Sequence, residues 1–351
     1  VDVLITDHHS LPDTLPTAMA NVNPQRLQDD HPLKPLSGVG VAYKLIESLY
    51  KSLKNSDETD YLLDLVALGT VADVALLKGD NRFLVQNGLE VLKNTSRLGL
   101  KEIYATQRIQ PGLIDETTIG FNLAPLMNAL GRLADASPMV EFLTTDNLQK
   151  IRVFIATLDN LNERRKLITE QITLSIQSKL EKGTTLQNSP AIVLHQEGWE
   201  PGVLGIVANR IVDLYHKPVI LLTGSPAGGY SGSARSIEKL NIIDAIQKNK
   251  AFLNHCGGHA MAAGLSLSAD QLDAFTRNFN QTIAETYGDS LSRRQLFIDG
   301  TITFSMISES FVDELALMSP FGAGNPKPIF ACNDLDIKNI STFGKKSEHI
   351  K

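Results

Sequence analysis

The first residues of the chain constrain its fold most, because they read as a strand that ends abruptly on polar side chains. Residues 1–6 are mostly apolar, and Asp7, His8 and His9 follow them. In open α/β sheets, ligands bind beyond the carboxyl ends of the strands. Imidazole nitrogen and carboxylate oxygen suit Mn, Fe, Zn or Mg, and a carboxylate beside a ligating histidine fixes its tautomer. Asp7-His8-His9 is therefore a candidate metal site; a polar turn after an edge strand is the alternative.

Size and composition narrow the class of protein. With 351 residues, 42% hydrophobic and 21% charged, the chain is long enough for about two to three domains with cores of their own. Two cysteines, Cys256 and Cys332, favour a reducing compartment over a disulfide framework. No apolar run is long enough to cross a bilayer, so we expect a soluble, cytoplasmic protein. The net charge of -6 excludes an overall basic surface but leaves room for a local basic groove.

A second acidic position lies in residues 61–74, which are apolar nearly all round, as in a buried helix. The segment carries Asp64 and Asp73. An ionised carboxylate in such surroundings is costly unless it is paired or holds a metal. Asp73 is therefore a second candidate ligand. The alternatives are that Asp73 caps the next turn or pairs with Arg82.

Between these two positions, the five prolines of residues 11–36 rule out a long helix. A helical pattern then begins at Ser37-Gly38-Val39-Gly40. Glycines at a helix start place backbone N–H groups near an anion, or else they permit close packing.

Two further segments precede the second half of the chain. Arg132 follows Asn128 and a glycine, and its guanidinium suits bidentate phosphate binding, with an ordinary salt bridge as the alternative. Residues 146–182 then predict one long helix that connects two domains. We interpret its charged run at residues 164–166 as a solvated face.

The second domain alternates strand, helix and strand over residues 191–194, 203–214 and 218–222, as β/α domains do. A ribbon of small residues follows and carries Ser233, Arg235 and Ser236, which offer hydroxyls and a guanidinium to a phosphate.

Gly257, Gly258 and His259 form the most specific motif of this domain. Paired glycines allow backbone N–H groups to close on a phosphate, and His259 can donate to it or to a leaving oxygen. A tight turn into a strand at residues 264–267 is the alternative.

The C-terminal part changes in pattern. Residues 295–304 predict a strand, a short helix ends near Met318, and a Gly/Pro corner leads to further strand-like residues. Short strands with such a corner are typical of a small β-barrel that binds single strands. We interpret Phe321 and Phe330 as barrel core.

Taken in order, these motifs resemble the DHH phosphoesterase superfamily, and within it the RecJ single-strand-specific exonucleases, along nearly the whole chain. Asp7-His8-His9 is similar to the namesake motif, and residues 69–73 to the acidic motif that follows it. Residues 128–132, 257–264 and 321–330 are similar to the arginine motif, the DHH-associated signature and the start of the oligonucleotide-binding (OB) barrel.

The resemblance implies an α/β fold with two domains, DHH and DHH-associated, that face a cleft and are joined by a long helix, followed by the start of an OB-type β-barrel. The expected boundaries are residues 1–145 for the DHH domain, 146–186 for the connecting helix, 187–288 for the DHH-associated domain and 289–351 for the partial barrel.

It also implies the roles of individual residues around two Mn²⁺ or Mg²⁺ ions. By the resemblance, His8 and Asp73 are metal ligands, with Asp7 and His9 supporting them at the metal and phosphate edge. The residues expected to hold DNA phosphates are Arg132, Ser233, Arg235, Ser236, Gly257, Gly258 and His259.

The implied activity is metal-dependent 5′→3′ exonucleolytic hydrolysis of single-stranded DNA in recombination and repair, by a monomer that works with a helicase and a single-strand-binding protein. Two alternatives stay open: a DHH phosphoesterase for short oligonucleotides or small nucleotides, and a non-catalytic replication scaffold of the same fold.

Two departures from the family pattern bear on activity. The family has acidic motifs upstream of its DHH motif, and none precedes Asp7 here. Four candidate ligands cannot fill two shells of about six each, so we expect a fragment that binds metal weakly and is inactive, although its full-length parent is active. The second departure is Glu200, which stands where the family usually has histidine.

Overall fold

A computed structural model describes residues 1–12, 14–53, 58–183, 188–225, 228–288, 295–333, 335–344 and 349–351. These residues divide into two units. Unit 1 contains Val1–Ser96, Gln107–Ala124 and Leu296–Lys351, and unit 2 contains Arg97–Thr106 and Pro125–Gln295. No helix in the described ranges combines the length and the apolar character needed to cross a membrane.

The elements of unit 1 are short strands and medium helices. In chain order they are β1 (Leu4–Thr6), β2 (Ala20–Val22), α1 (Gly38–Ser52), α2 (Leu63–Ala72), α3 (Gly79–Lys93), α4 (Leu98–Gln107, mostly in unit 2), α5 (Glu116–Thr118) and a π-helical turn (Ile119–Leu123).

The predicted first strand is present as β1, and it ends directly before Asp7. It pairs in parallel with β2, in the register Leu4 to Ala20 and Thr6 to Val22. The main-chain N–H of Asp7 continues this ladder by donating to the Val22 carbonyl over 3.0 Å. Strand β2 lies within the proline-rich segment and was not predicted.

Helices α1 and α2 approach each other closely at small residues. The buried hydroxyls of Ser37 and Thr70 lie 2.7 Å apart, and Ser37 also caps α1 by accepting from the Gly40 N–H. A Cβ on Gly69 would lie 2.7 Å from Cγ1 of Val39. Only glycine permits this contact, because such a separation is shorter than van der Waals contact. At the start of α1, a Cβ on Gly38 would lie 3.3 Å from the ring of His8 and one on Gly40 would lie 3.0 Å from the side chain of Leu36, so these glycines also serve close packing.

The predicted strand over residues 295–304 is wrong for most of its length. Only β8 (Gly300–Thr301) forms, in parallel pairing with β9 (Phe330–Ala331). A strand needs a neighbouring ladder, and the flanking Phe297 is 69% exposed. The predicted short helix is α12 (Glu309–Ala316), and a separate antiparallel pair joins β10 (Thr342–Phe343) to β11 (His349–Ile350).

The segment after α12 is fixed to the rest of unit 1 by hydrogen bonds to its main-chain carbonyls. The Leu77 N–H donates to the Ala323 carbonyl over 2.7 Å. The guanidinium of Arg82 donates to the carbonyls of Met318 and Ser319 over 2.8 and 3.2 Å. The segment after α12 therefore packs directly onto the loop that follows α2 and onto the first turn of α3.

Unit 2 is built on one mixed sheet. Its remaining elements, with labels in chain order, are α6 (Ala124–Leu133), α7 (Pro138–Thr144), α8 (Leu148–Lys182), β3 (Ile192–His195), α9 (Pro201–Tyr215), β4 (Val219–Gly224), β5 (Tyr230–Arg235), α10 (Ile242–Gln247), β6 (His255–His259), β7 (Ala262–Leu267) and α11 (Leu272–Tyr287).

The strand order of this sheet is β3-β4-β5-β7-β6, with β3 and β4 parallel and the other pairs antiparallel. Helix α9 packs on β4 and β5, and the four residues Val219 to Leu222 of β4 are fully buried. The predicted alternation of strand, helix and strand is confirmed by β3, α9 and β4.

The predicted long helix is present as α8, capped by Asn147. Its buried residues recur on one face, and Ile172, Ile176 and Leu180 join the core of unit 2. Helix α8 lies wholly inside unit 2. The domain boundaries at residues 145, 186 and 288 stay a prediction.

Replacing Thr70 with valine should destabilise unit 1, because the buried Ser37 hydroxyl then loses its 2.7 Å partner. The expected loss is about 1–2 kcal/mol in the free energy of unfolding, measured by urea denaturation. Ser52→Ala is the control, since the exposed Ser52 hydroxyl donates only within α1, to the Ser48 carbonyl, and should change the free energy by less than about 0.5 kcal/mol. Equal effects of the two substitutions would contradict the importance of the buried pair.

Candidate functional site

The structure brings His8 and Asp73 together. Asp73 follows the last residue of α2, where its N–H donates to the Gly69 carbonyl, and its Oδ2 lies 3.7 Å from Nδ1 of His8. Both side chains are partly open to solvent, at 23% and 43% exposure. The alternative pairing with Arg82 is not formed, since Arg82 donates to the carbonyls of Met318 and Ser319.

Asp7 and His9 form a second, local pair. Oδ1 of Asp7 accepts from Nδ1 of His9 at 2.7 Å and from the main-chain N–H groups of His8 and His9 at 2.8 and 3.3 Å. Burial raises the pKa of the Asp7 carboxyl, but these hydrogen bonds outweigh it and hold the pKa below its ordinary value. Asp7 thus stays ionised and orients the ring of His9, as a supporting carboxylate does.

Side chains from the loop after β2 hold the main chain of this tripeptide. The Asn23 amide donates to the His9 carbonyl over 3.0 Å, and the Gln25 amide donates to the carbonyls of His8 and Lys34, both over 3.3 Å. Neither Asn23 nor Gln25 was predicted from the sequence. The signal available was the Asn-Pro step, because Asn23 also caps the turn that Pro24 begins.

The donor atoms of His8 and Asp73 fit one edge of a divalent metal shell. Two atoms at about 2.1 Å from one ion are separated by about 3 Å at a right angle and about 4 Å when opposite, and the observed 3.7 Å lies in this range. In the part of the chain that the structure describes, no three His, Cys, Asp or Glu side chains cluster as ligands. Metal contact by Asp7 and His9 stays a prediction.

Asp64, the other acid of α2, has a structural role. It is 1% exposed, and its carboxylate accepts from the Thr95 hydroxyl and from the Leu65 N–H, both over 2.7 Å.

In unit 2, the predicted phosphate-binding arginines lie at the first turns of α9. The Arg132 guanidinium donates to the Gly202 carbonyl over 3.1 Å, and a Cβ on Gly202 would lie 1.9 Å from the main-chain oxygen of Arg132. One turn further, a Cβ on Gly205 would lie 2.4 Å from Nη2 of Arg235. Both glycines thus leave space for an arginine, which explains why small residues occupy these positions.

Arg165 on α8 belongs to the same electrostatic environment, so we call Arg132, Arg165 and Arg235 the arginine cluster. Burial lowers the pKa of all three guanidinium groups, and the charge of Arg132 lowers the pKa of both Arg165 and Arg235 further. The nearby carboxylate of Glu163 opposes the shift at Arg165. Like charges held close together favour a bound anion.

The sheet register places four predicted phosphate contacts on one face. Ala262 of β7 pairs with Arg235 on one side and with His259 on the other, and Gly264 likewise pairs with Ser233 and Gly257. Directly opposed residues share a face, as do residues two apart in a strand. Ser233, Arg235, Gly257 and His259 therefore lie on the same face.

The structure does not support the predicted role of Ser236. Its side chain is 3% exposed, and its hydroxyl donates to the Leu240 carbonyl over 2.6 Å, so a phosphate has no access to it. Gly258 lies on β6 rather than in a turn, with a φ of +146°, and a Cβ there would lie 2.4 Å from the Ala262 carbonyl. The tight turn considered as the alternative instead falls at Ala260 and Met261, between β6 and β7.

Glu200, which departs from the family pattern, stands at the N-cap of α9 without a side-chain capping hydrogen bond. It follows the buried Trp199, whose ring lies 5.4 Å from Nζ of Lys179.

Comparison with protein families finds three successive matches. A DHH family N-terminal domain matches residues 1–70, a DHHA1 domain matches residues 188–285, and a RecJ OB domain matches residues 298–351.

Two curated relatives are each named single-stranded-DNA-specific exonuclease RecJ. The one from Bacillus subtilis (strain 168) is 35% identical over 100% of this chain and 44% of its own length. The one from Escherichia coli (strain K12) is 35% identical over 94% of this chain and 60% of its own length. The chain thus spans about half of the length of these relatives.

Solved structures agree with these matches. A RecJ from Thermus thermophilus in complex with Mn²⁺ aligns with a TM-score of 0.83 at 31% identity, over 95% of this chain and 48% of that one. An exonuclease RecJ bound to manganese aligns with a TM-score of 0.66 at 31% identity, over 84% of this chain and 72% of that one.

Gly202→Ala should separate α9 from the main chain of Arg132, because the new Cβ would lie 1.9 Å from its carbonyl oxygen. We expect a loss of about 1–3 kcal/mol of stability, seen as a lower midpoint of thermal unfolding. Gly131→Ala is the matched control beside Arg132, since a Cβ there meets Ala136 at an ordinary 3.6 Å. A midpoint for Gly202→Ala at or above that of Gly131→Ala would contradict the close approach.

Proposed function

This chain belongs to the RecJ family of DHH phosphoesterases, and we propose that it carries out metal-dependent exonucleolytic hydrolysis of phosphodiester bonds in single-stranded DNA, from the 5′ end. The observation that carries the proposal is the 3.7 Å approach of His8 Nδ1 to Asp73 Oδ2 beyond the end of β1. These two residues are 65 positions apart in the sequence, so no local turn accounts for their meeting.

His8 and Asp73 would hold a divalent ion from one side. Such an ion supplies an activated water and stabilises the charge of the leaving oxygen. The protein's own part is orientation: Asp7 fixes the ring of His9, and Asn23 and Gln25 fix the main chain of both histidines. His9, 63% exposed, remains open to a phosphate at this edge.

Unit 2 would bind the phosphodiester backbone. The guanidinium groups of Arg132 and Arg235 present fixed donors to phosphate oxygens. Ser233, Gly257 and His259 extend the same sheet face with small or polar groups. Because backbone contacts carry no sequence information, we expect degradation without sequence preference.

The wider role follows from this activity as part of the proposal. A 5′→3′ nuclease of single strands serves recombination and repair, supplied by a helicase and limited by a single-strand-binding protein. We propose that the protein acts as a monomer in the cytoplasm.

Substituting either residue of the pair should weaken manganese binding. We expect His8→Ala and Asp73→Asn each to reduce the affinity of the chain for Mn²⁺ at least about tenfold, measured from the electron paramagnetic resonance signal of free Mn²⁺. The affinity of the unaltered chain should itself be weak, because the pair fills two of about six positions. Asp30→Asn removes an exposed acid of unit 1 and should leave the affinity unchanged. If Asp30→Asn weakens binding as much as Asp73→Asn, the metal is held elsewhere.

The activity is best tested with further acidic ligands supplied upstream, as the family pattern implies. We would place the corresponding N-terminal segment of Bacillus subtilis RecJ before Val1 and add Mn²⁺ with single strands labelled at either end. Digestion from the 5′ end releases a 5′ label as a mononucleotide at once, whereas a 3′ label stays on a ladder of shortening strands. Asp73→Asn should abolish both patterns.

Substrate length separates this function from the alternatives. Progressive shortening of long strands supports the proposal. A preference for dinucleotides would instead identify an oligonucleotide phosphoesterase, and metal-independent binding without cleavage would identify a scaffold.

A further inference from the structure

One residue of the charged run at residues 164–166 lies on the inward face of α8. Buried residues recur along this face, among them Leu158, Thr169 and Ile172. Asn162 and Arg165 continue the same series, because residues 158, 162, 165 and 169 follow each other at steps of four, three and four. Such steps keep side chains on one face of a helix. Arg165 therefore lies on the inward face, with Asn162 one turn before it.

The neighbours of Arg165 behave differently. Arg164 and Lys166 are exposed, whereas Arg165 is partly buried. The Lys166 ammonium pairs with Glu163 over 2.7 Å at the surface. A solvated face accounts for Arg164 and Lys166, but it does not account for Arg165.

Arg165 is held in place by a neutral group. Its Nε donates to Oδ1 of Asn162 over 3.1 Å, which fixes the plane of the guanidinium and leaves its terminal nitrogens for another acceptor. The other members of the arginine cluster are fixed similarly, since Arg132 donates to the Gly202 carbonyl and Arg235 to the Ala234 carbonyl. Each guanidinium thus rests on a neutral acceptor.

Within the described residues, no member of the arginine cluster forms an ion pair with a carboxylate. Helix α8 packs against α9, whose first turns hold Arg132 and Arg235. Burial and the charge of Arg132 both lower the pKa of Arg165, and a bound negative group would offset both effects. Three arginines that are held by neutral acceptors and form no ion pair with a described carboxylate suit the binding of phosphate oxygens.

We propose that Arg165 is a third phosphate-binding side chain, which adds a backbone phosphate contact of its own beside those of Arg132 and Arg235 on single-stranded DNA, and that Asn162 is its positioning residue. This inference rests on the proposed function, because it takes the ligand to be the nucleic acid substrate. Arg165 binds rather than hydrolyses, so its contribution is to affinity.

The salt dependence of DNA binding tests the inference. The chain is titrated into a fluorescent oligothymidylate in EDTA, and anisotropy gives the affinity at several salt concentrations. Each phosphate contact contributes about 0.7 to the slope of log affinity against log salt for a single strand. Arg165→Gln should lower the slope by about this amount and weaken binding about tenfold at moderate salt. Asn162→Ala should weaken binding less and keep the slope.

Arg164→Gln is the matched control, because it removes the same charge from the next position, on the exposed face. Its slope should equal that of the unaltered chain, as should the slope of Arg165→Lys, which keeps the charge. Equal slopes for Arg165→Gln and the unaltered chain overturn this inference alone. The absence of binding by the unaltered chain overturns the proposed function together with it.

Thermal unfolding separates binding from a structural role. Removing one of several repelling charges should leave the midpoint of Arg165→Gln unchanged or higher, whereas a structural arginine would lower it. Should the variant not fold, ¹⁵N–¹H spectra of the unaltered chain decide the question. The Nε signal of Arg165 should then shift with those of Arg132 and Arg235 as the oligonucleotide is added. If the chemical shift of Arg165 stays constant, the inference is overturned.

Discussion

The close approach of α1 to α2 is the constraint on which the His8–Asp73 pair depends. Gly69 admits the side chain of Val39, and a Cβ on Gly38 would already lie 3.3 Å from the ring of His8. A larger residue at either position would push α1 away from α2 or from the end of β1. Because Asp73 directly follows α2, such a displacement would open the 3.7 Å separation from His8. Packing between helices thus sets the chemistry at the end of a strand.

The arginine cluster also depends on glycines, but it brings like charges together instead of a pair of metal-binding groups. At Gly202 and Gly205 the missing side chain leaves room for Arg132 and Arg235. There, in addition to burial, the charge of Arg132 lowers the pKa of both Arg165 and Arg235, and a bound anion would relieve this repulsion. The pair at His8 is the reverse case, since it offers lone pairs to a cation.

Elements that depend on the spacing of neighbouring residues were predictable from the sequence, whereas contacts between distant segments were not. The period of α8 and the abrupt polar end of β1 are properties of neighbouring residues, and both are present as expected. The pairing of β2 and the burial of Ser236 depend on partners far along the chain. Residues 295–304 show that alternating apolar and polar residues do not suffice to predict a strand. Without a neighbouring strand to pair with, most of this segment forms no strand and its apolar side chains stay exposed. Arg165 was recoverable by counting its position against the apolar face of α8.

The net charge of -6 from 33 basic and 39 acidic residues describes the whole surface and not the places where a ligand binds. At physiological salt, exposed charges act over about 8 Å, so an acid beyond that distance does little to a bound phosphate. Part of the acidic excess is also engaged at the surface, as in the 2.7 Å pairs of Glu141 with Lys150 and of Glu163 with Lys166. Arg165, next to one of these pairs in sequence, instead faces inward without a carboxylate ion pair among the described residues. A protein with a negative net charge can therefore bind a polyanion when a few of its arginines form no ion pair with its own carboxylates.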